Sequence, residues 1–413
     1  YLVKQKVTYI HMYMISVSKA LGILSQSRFE LGVEMINLTE ATGTVLAEDL
    51  AAKVTLPPFP VSAMDGYAVK ISDIEHGALK FKVTGVSAAG NPFKGVLKSN
   101  EAVRIYTGGI VPIGADHIVI QENVIREKNQ ITISENEIFP RHIRNKGIDF
   151  FQGEVLIKKG TRLDAMHIGL AAAANFSLLK TYKKPTVAII SNGDELKEPG
   201  STLTPGDIIN SNSHCLTALL NKWNANVVNV GIAKDNIPDI MNKIKNINDA
   251  DIIVPIGGAS VGDLDFMRIA FKKSGFLSIF EKVAVRPGKP VWFGKIDDKL
   301  VLGLPGNPAS AVVCAHIFLK TLITQNNNPH FLKAKLSEKI PKNSNRETYL
   351  RGLAKFNDIG QLEVTPMPKQ DSSLLMPFVK SNVLIRLKPN EKLRKKHELV
   401  DVLSLETGPS LYE

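Results

Sequence analysis

The stretch Ile252-Ile-Val-Pro-Ile-Gly-Gly-Ala-Ser-Val-Gly-Asp-Leu-Asp265 decides how the chain is read. Its apolar opening predicts a buried strand. Gly257-Gly258 follows where that strand ends, permitting positive φ and close approach of another backbone. Asp263 is placed to cap a helix whose apolar positions include Leu264, Met267, Ile269 and Phe271. Strand, glycine turn and helix N-terminus together offer free N–H groups and partial positive charge, which suits a phosphate. A merely structural turn fits the same residues, because neither the dinucleotide fingerprint nor a Walker lysine is present.

Outward from this stretch, between about Tyr182 and Thr324, strand and helix patterns alternate, which predicts a doubly wound α/β sheet with right-handed crossovers. Strands are expected at Thr186–Ser191, Asn226–Ile232, Asp251–Ile256, Lys282–Arg286, Val291–Gly294 and Leu300–Leu304. Helices are expected at Ser213–Lys222, Pro238–Lys245, Leu264–Lys273 and Pro308–Leu322, the last with Asn307 as N-cap and Pro308 at its first position. Ligands bind at the carboxyl edge of such sheets. Five loops there carry glycine, charge or hydroxyl: Asn192-Gly-Asp-Glu195, Lys234-Asp235, Gly257 to Asp265, Arg286-Pro-Gly-Lys289 and Pro305-Gly-Asn-Pro-Ala-Ser310.

The flanks read differently. From Met14 a helical pattern through Ile15, Val17, Ala20, Leu21 and Leu24 leads to short elements that Pro57, Pro58 and Pro60 stop. Met14 is the expected start, no role is assigned to residues 1–13, and the polar residues around them argue against a signal peptide. Alternating short runs between residues 80 and 142 predict a small β domain. It carries Pro60-Val-Ser-Ala-Met-Asp-Gly-Tyr-Ala-Val69, where Asp65 either closes a turn on its own backbone or does chemistry. An alanine-rich helix spans Asp164 to Ala174, with Asn175 in the left-handed position after it. From Pro329 short strands return. The expected division is 14–57 with 143–180 as a discontinuous linker and helical domain, 58–142 as the inserted β domain, 181–328 as the α/β domain and 329–413 as a C-terminal, barrel-like β domain.

At 413 residues the chain exceeds what one core usually supports, and 44% hydrophobic with 22% charged residues is a globular composition. No run approaches the roughly 18 consecutive apolar residues of a membrane span. The net charge of +11 is dispersed, without the basic and aromatic interleaving of a nucleic-acid groove, and suits small anionic substrates. Cys215 and Cys314 lie far apart in helical patterns, so neither a disulfide framework nor a thiolate metal site is expected, and a reducing cytoplasm fits.

At the sheet edge the acidic residues are Glu195, Asp235, Asp263 and Asp265, with Asp65 and Asp149 outlying; the basic ones are Lys282, Arg286 and Lys289, joined by Arg351. Bare carboxylates would repel a phosphate, and a hard divalent cation such as Mg²⁺ resolves that conflict. No Cys/His cluster has zinc spacing, and no Gly-x-Ser-x-Gly elbow is present.

Ser62-Ala-Met-Asp-Gly-Tyr-Ala68, Ser191-Asn-Gly-Asp-Glu-Leu196, Gly257-Gly-Ala-Ser-Val-Gly262, Arg286-Pro-Gly-Lys-Pro290 and Leu304-Pro-Gly-Asn-Pro308 resemble, in order, the motifs of the molybdenum insertases. That family, molybdopterin molybdenumtransferase, includes the bacterial enzyme and the E domain of gephyrin. The resemblance implies a molybdopterin-binding α/β domain and insertion of molybdenum from molybdate into adenylylated molybdopterin, with Mg²⁺ help and release of AMP. It also implies an elongated homodimer of four-domain subunits with the site between subunits. Other molybdenum-cofactor biosynthesis proteins are expected partners, while charge dispersal and hydropathy argue against a nucleic-acid or membrane partner and the cysteine usage fits the cytoplasm.

Carried over, the catalytic set is Asp65, Asp149, Glu195, Asp235, Asp265, Lys282, Arg286 and Lys289, of which Asp65, Asp149, Glu195 and Asp235 would hold metal. The substrate-binding set is Arg144, Gly257, Gly258, Ser260, Asn307, Ser310, Arg351 and Ser372, with Ser310, Arg351 and Ser372 at the molybdate end. Three departures stand out: Asn192 for a threonine, Ile148 for an acidic residue, and Met376-Pro377 for a serine pair. The alternatives are a molybdopterin adenylyltransferase, which usually stands alone with a Gly-Gly-Thr-Gly turn, and a gephyrin-like scaffold, which would need a long linker or partner groove.

Overall fold

The structure, a computed structural model, describes residues 14–27, 29–133, 142–257, 265–325 and 329–410. The chain forms two compact units. One takes in the described residues up to Leu31 and from Lys184 onward; the other is Gly32–Lys183.

The larger unit is built on a six-stranded sheet in the order Asn226–Ala233, Thr186–Asn192, Ile252–Ile256, Lys299–Gly303, Trp292–Ile296, Leu277–Phe280. The first four strands are parallel, and Trp292–Ile296 runs antiparallel to both of its neighbours. Burial on both faces explains the continuous apolar runs. Val187, Ile189, Ile252, Val254 and Ile256 enter one core with the helices Val17–Gln26, Ser211–Lys222 and the Pro308–Thr324 segment. Ala188, Ile190 and Ile253 enter the other with Ile237–Lys245 and Phe266–Lys273.

Several expectations change. Leu277–Phe280 is a strand that the sequence pattern did not indicate, because it is a half-exposed edge strand. Lys282–Arg286 is not a strand of this sheet; only Val285–Arg286 is extended, and it pairs in parallel with Glu347–Thr348 of the C-terminal domain. Asp265, rather than Asp263, caps the helix Phe266–Lys273 through its side chain, accepting from the Arg268 N–H at 3.1 Å. Asp263 and Leu264 lie outside the described residues. The helix from Pro308 changes to a π-helical turn over Ala315–Leu319 before resuming at Lys320–Thr324.

The C-terminal strands close into a five-stranded barrel. Glu347–Phe356 pairs with both Leu362–Pro366 and Val383–Leu387, and Phe331–Leu336 and Leu399–Ser404 complete the ring. Alternation sends Val383, Ile385 and Leu387 into the barrel and Leu384 into the core of the α/β domain. The barrel and the α/β domain therefore share packed side chains.

In the smaller unit, a six-stranded sheet has the order His117–Ile120, Gly66–Val69, Glu101–Ile105, Lys80–Ser87, Gln130–Ile133, Val124–Glu127. Gly66 has a packing reason, since a Cβ there would sit 2.1 Å from the Val119 carbonyl oxygen. A second core gathers around Leu46, Phe150 and Leu179 beneath the helix Ala165–Ala173. Asp164, read from sequence as the first residue of that helix, is its N-cap, and Asn175 follows at the expected positive φ, +71°.

Candidate active site

The carboxyl ends of the parallel strands are tied into one edge by short polar contacts. Asn192, at the end of its strand, donates its side-chain amide to the carbonyls of Ala233 at 3.4 Å and Lys234 at 3.2 Å. The residue that departs from the family threonine therefore links two neighbouring strand ends. Gly257 has φ +93°, its N–H donates to Leu304 O at 3.2 Å, and a Cβ on Gly306 would lie 3.5 Å from the Gly257 Cα. Two glycine turns abut there. Asn212 fastens the second by donating to Gly306 O at 2.6 Å.

These loops and the barrel enclose a cleft of about 1110 Å³. It brings together Glu195, Gly257, Arg286, Lys289, Asn307, Ser310 and Ser372 from the sequence-derived candidates. It also adds Lys342, Arg346 and Asp371 of the barrel domain, which the sequence pattern did not single out. Among the described residues, four cations thus line the cleft, Arg286, Lys289, Lys342 and Arg346, against two carboxylates, Glu195 and Asp371. Asp371 accepts from the Ser373 hydroxyl at 2.6 Å and N–H at 2.8 Å, which holds its carboxyl below the usual range.

The Arg286–Lys289 loop is held from below and from the side. Cys314, fully buried, points its thiol at the carbonyls of Pro287 and Gly288, and burial pushes that thiol far up, so it stays neutral. Gly288 has φ +115°, and a Cβ there would lie 2.1 Å from the Cys314 sulfur. Arg268 donates to the carbonyls of Glu281 at 3.2 Å and Pro290 at 3.1 Å, while its Nε lies 3.2 Å from the Asp265 carboxylate. Asp265 and Arg268 thus brace the loop from the start of their helix.

The Ser372 loop docks on the helix that starts at Pro308. Asn307 does not use its side chain as a helix cap; it donates to the Ser372 hydroxyl at 3.2 Å, and Ala309 N–H donates to Ser372 O at 2.9 Å. Arg351 builds this loop. Its buried guanidinium donates to the Gln370 side chain and to the carbonyls of Lys369, Asp371 and Leu374, at 3.0 to 3.3 Å. Arg351→Ala is expected to lower the stability of the larger unit by about 2–4 kcal/mol, because several buried acceptors lose their donor. Denaturant unfolding of the variant checks this.

The other candidates lie apart from the cleft lining. Asp235 and Asp194 accept from each other's backbone N–H at 3.2 and 3.1 Å. Asp265 is buried, and burial raises its carboxyl despite the Arg268 N–H and charge. Lys282 contributes its carbonyl, which accepts from Ile15 N–H at 3.1 Å. Gly258 and Ser260 lie outside the described residues.

In the smaller unit, Asp65 accepts from the Thr107 N–H at 2.7 Å and hydroxyl at 2.8 Å. A two-residue ladder sets Arg144 opposite Val61 and Ile143 opposite Ser62, and Asp149 donates its N–H to Leu56 O at 3.2 Å. Among the described residues, no three of His, Cys, Asp and Glu gather as a ligand set for a metal. A Mg²⁺ that keeps its waters and bridges to phosphate needs only one or two carboxylates, which Glu195 on the cleft wall and the Asp194–Asp235 pair at the same sheet edge can supply.

Sequence models of three family regions match in order: the MoeA N-terminal region (domain I and II) over residues 15–175, a probable molybdopterin binding domain over 188–325, and the MoeA C-terminal region (domain IV) over 333–405. Molybdopterin molybdenumtransferase of Haemophilus influenzae is 37% identical over 374 residues, covering 88% of this chain and 92% of that protein. The chain belongs to the MoeA family. Molybdopterin molybdenumtransferase of a Nostoc species is 33% identical, covering 77% of the chain and 76% of that protein. A MoeA crystal structure from Pyrococcus horikoshii superposes with a TM-score of 0.82 at 27% identity, covering 95% of the chain and 99% of that structure. The MoeA C-terminal region is the barrel that supplies Lys342, Arg346 and Asp371 to the cleft.

Proposed function

We infer that the chain inserts molybdenum from molybdate into adenylylated molybdopterin and releases AMP. The observation that carries this is the cleft: glycine turns at the carboxyl edge of an α/β sheet, faced by four cations against two carboxylates. Molybdate, a phosphoanhydride and a dithiolene are all anionic, and bringing them together requires preorganised positive charge. Arg286 and Lys289 hold anionic groups on the α/β side. Ser310, Asn307 and Ser372 offer hydroxyl and amide donors beside them. Hydrolysis of the anhydride frees AMP as molybdenum passes to the dithiolene.

Mg²⁺ belongs to this proposal. Glu195 and Asp235 would hold it, and when bound it would offset phosphate charge. The homodimer implied by the resemblance, with Asp65, Asp149 and Arg144 supplied by a second copy, belongs to it too, as do a cytoplasmic setting and contacts with other cofactor-biosynthesis proteins. No helix of the described residues is long and apolar enough to cross a membrane.

An adenylyltransferase is not favoured, because MoeA regions flank the molybdopterin domain on both sides. Nothing observed favours a scaffold. The test supplies purified protein with adenylylated molybdopterin and Mg²⁺ and follows AMP with and without molybdate. Molybdate-dependent release is expected; AMP release indifferent to molybdate contradicts insertion.

A further inference from the structure

We propose that Arg104 is a positioning residue for the insertion reaction, holding the turn that aims the Asp65 carboxylate and acting through Asp65 rather than on substrate. The proposal rests on reading Asp65 as part of the insertase chemistry and names what keeps it in place.

Strand register sets the arrangement. In the sheet of the smaller unit, Gly66–Val69 pairs antiparallel with Glu101–Ile105, which places Arg104 opposite Tyr67, two residues beyond Asp65. From there the guanidinium forks. Its Nη1 donates to Gly66 O at 3.2 Å and its Nη2 to Gln121 Oε1 at 2.6 Å. Gln121 in turn donates its N–H to Asp65 O at 3.1 Å. One arginine thus ties Gly66 directly and the Asp65 backbone through Gln121. The carboxylate end is held by Thr107, three residues after Arg104 in the chain.

The guanidinium is itself fixed. Its central carbon lies 5.0 Å from the centre of the Tyr67 ring and 4.9 Å from that of Tyr106, two cation–π contacts on a half-buried side chain. The turn it holds is closely packed on its other side, where a Cβ at Gly66 would sit 2.1 Å from the Val119 carbonyl oxygen. The positive charge of Arg104 also adds to the Thr107 N–H and hydroxyl in keeping the Asp65 carboxyl below its ordinary value. A lysine could supply that charge, but neither the planar fork that reaches two acceptors nor the stacking on rings.

Turnover of adenylylated molybdopterin with molybdate, and a carbon-13 titration of the Asp65 carboxyl, are measured on full-length wild type and variants. Arg104→Gln is expected to lower kcat by about tenfold or more with KM little changed, and to move the Asp65 titration upward. Arg104→Lys is expected to keep the titration near that of wild type yet recover little of kcat, which separates position from charge. Gln121→Leu removes one acceptor of the fork, gives a smaller loss of the same kind, and decides the question if Arg104→Gln folds poorly. Wild-type kcat in both Arg104→Gln and Gln121→Leu, with Asp65→Asn inactive, overturns the positioning role, as does full recovery of kcat in Arg104→Lys. Wild-type kcat in Asp65→Asn overturns instead the reading of Asp65 beneath it.

Discussion

Gly288→Ala is expected to reduce turnover on the order of a hundredfold while the barrel and the α/β sheet stay folded. The added methyl would lie 2.1 Å from the Cys314 sulfur, which is fully buried and has nowhere to retreat. The backbone there has φ +115°, which side chains other than glycine's rarely adopt. The loop must therefore shift, and Arg286 and Lys289 shift with it. Since ångström-scale misplacement of a binding group is enough to suppress catalysis, kcat should fall further than the thermal midpoint. Adding Cys314→Ala removes the sulfur but not the backbone strain, so it should restore part of the activity. Near-normal turnover in Gly288→Ala would show that the loop cations need no accurate placement.

Asp65→Asn is expected to fold normally and lose on the order of a hundredfold or more in turnover. Asparagine keeps the carbonyl oxygen that accepts from Thr107 N–H and hydroxyl at 2.7 and 2.8 Å, so the turn survives while the charge goes. The Thr107 N–H, then its hydroxyl, holds the Asp65 carboxyl below its ordinary value of 3.8. With the folded value lowered, the favourable contact is fully present above the unfolded value and is lost as pH falls through the folded one. Asp65 is thus ionised at neutral pH, fit to bind a cation or repel a phosphate, and unfit to donate a proton. A carbon-13 titration of its carboxyl checks the direction, and unchanged kcat in Asp65→Asn would remove it from the chemistry.

Much of this was legible because burial on both faces of a parallel sheet leaves unbroken apolar runs, as at Ile252–Ile256. The turns between them carry their own punctuation in Gly257, Gly306 and Pro308. What failed was local ambiguity. Asp263 and Asp265 are two residues apart and either can cap a helix, and only the fold shows that Asp265 does. Leu277–Phe280 has too few buried positions to announce a strand, and Val285–Arg286 is extended because a barrel strand distant in sequence pairs with it.

The site shows the same division. Arg286 and Lys289 sit in a motif whose glycine and prolines point to a tight loop, so they were readable. Lys342 and Arg346 reach the cleft only because the barrel closes and docks, which no short-range pattern encodes. Arg351 reads from sequence as a ligand for an anion, yet its donors are taken by loop carbonyls. Side-chain charge was visible, but its satisfaction was not.

The decisive measurement is the stoichiometry of a single turnover, with molybdenum in the pterin product determined by elemental analysis and AMP by chromatography in the same sample. One molybdenum gained by the pterin for each AMP released, both abolished when molybdate is omitted, is the expected result. AMP released without molybdenum entering the pterin would contradict insertion.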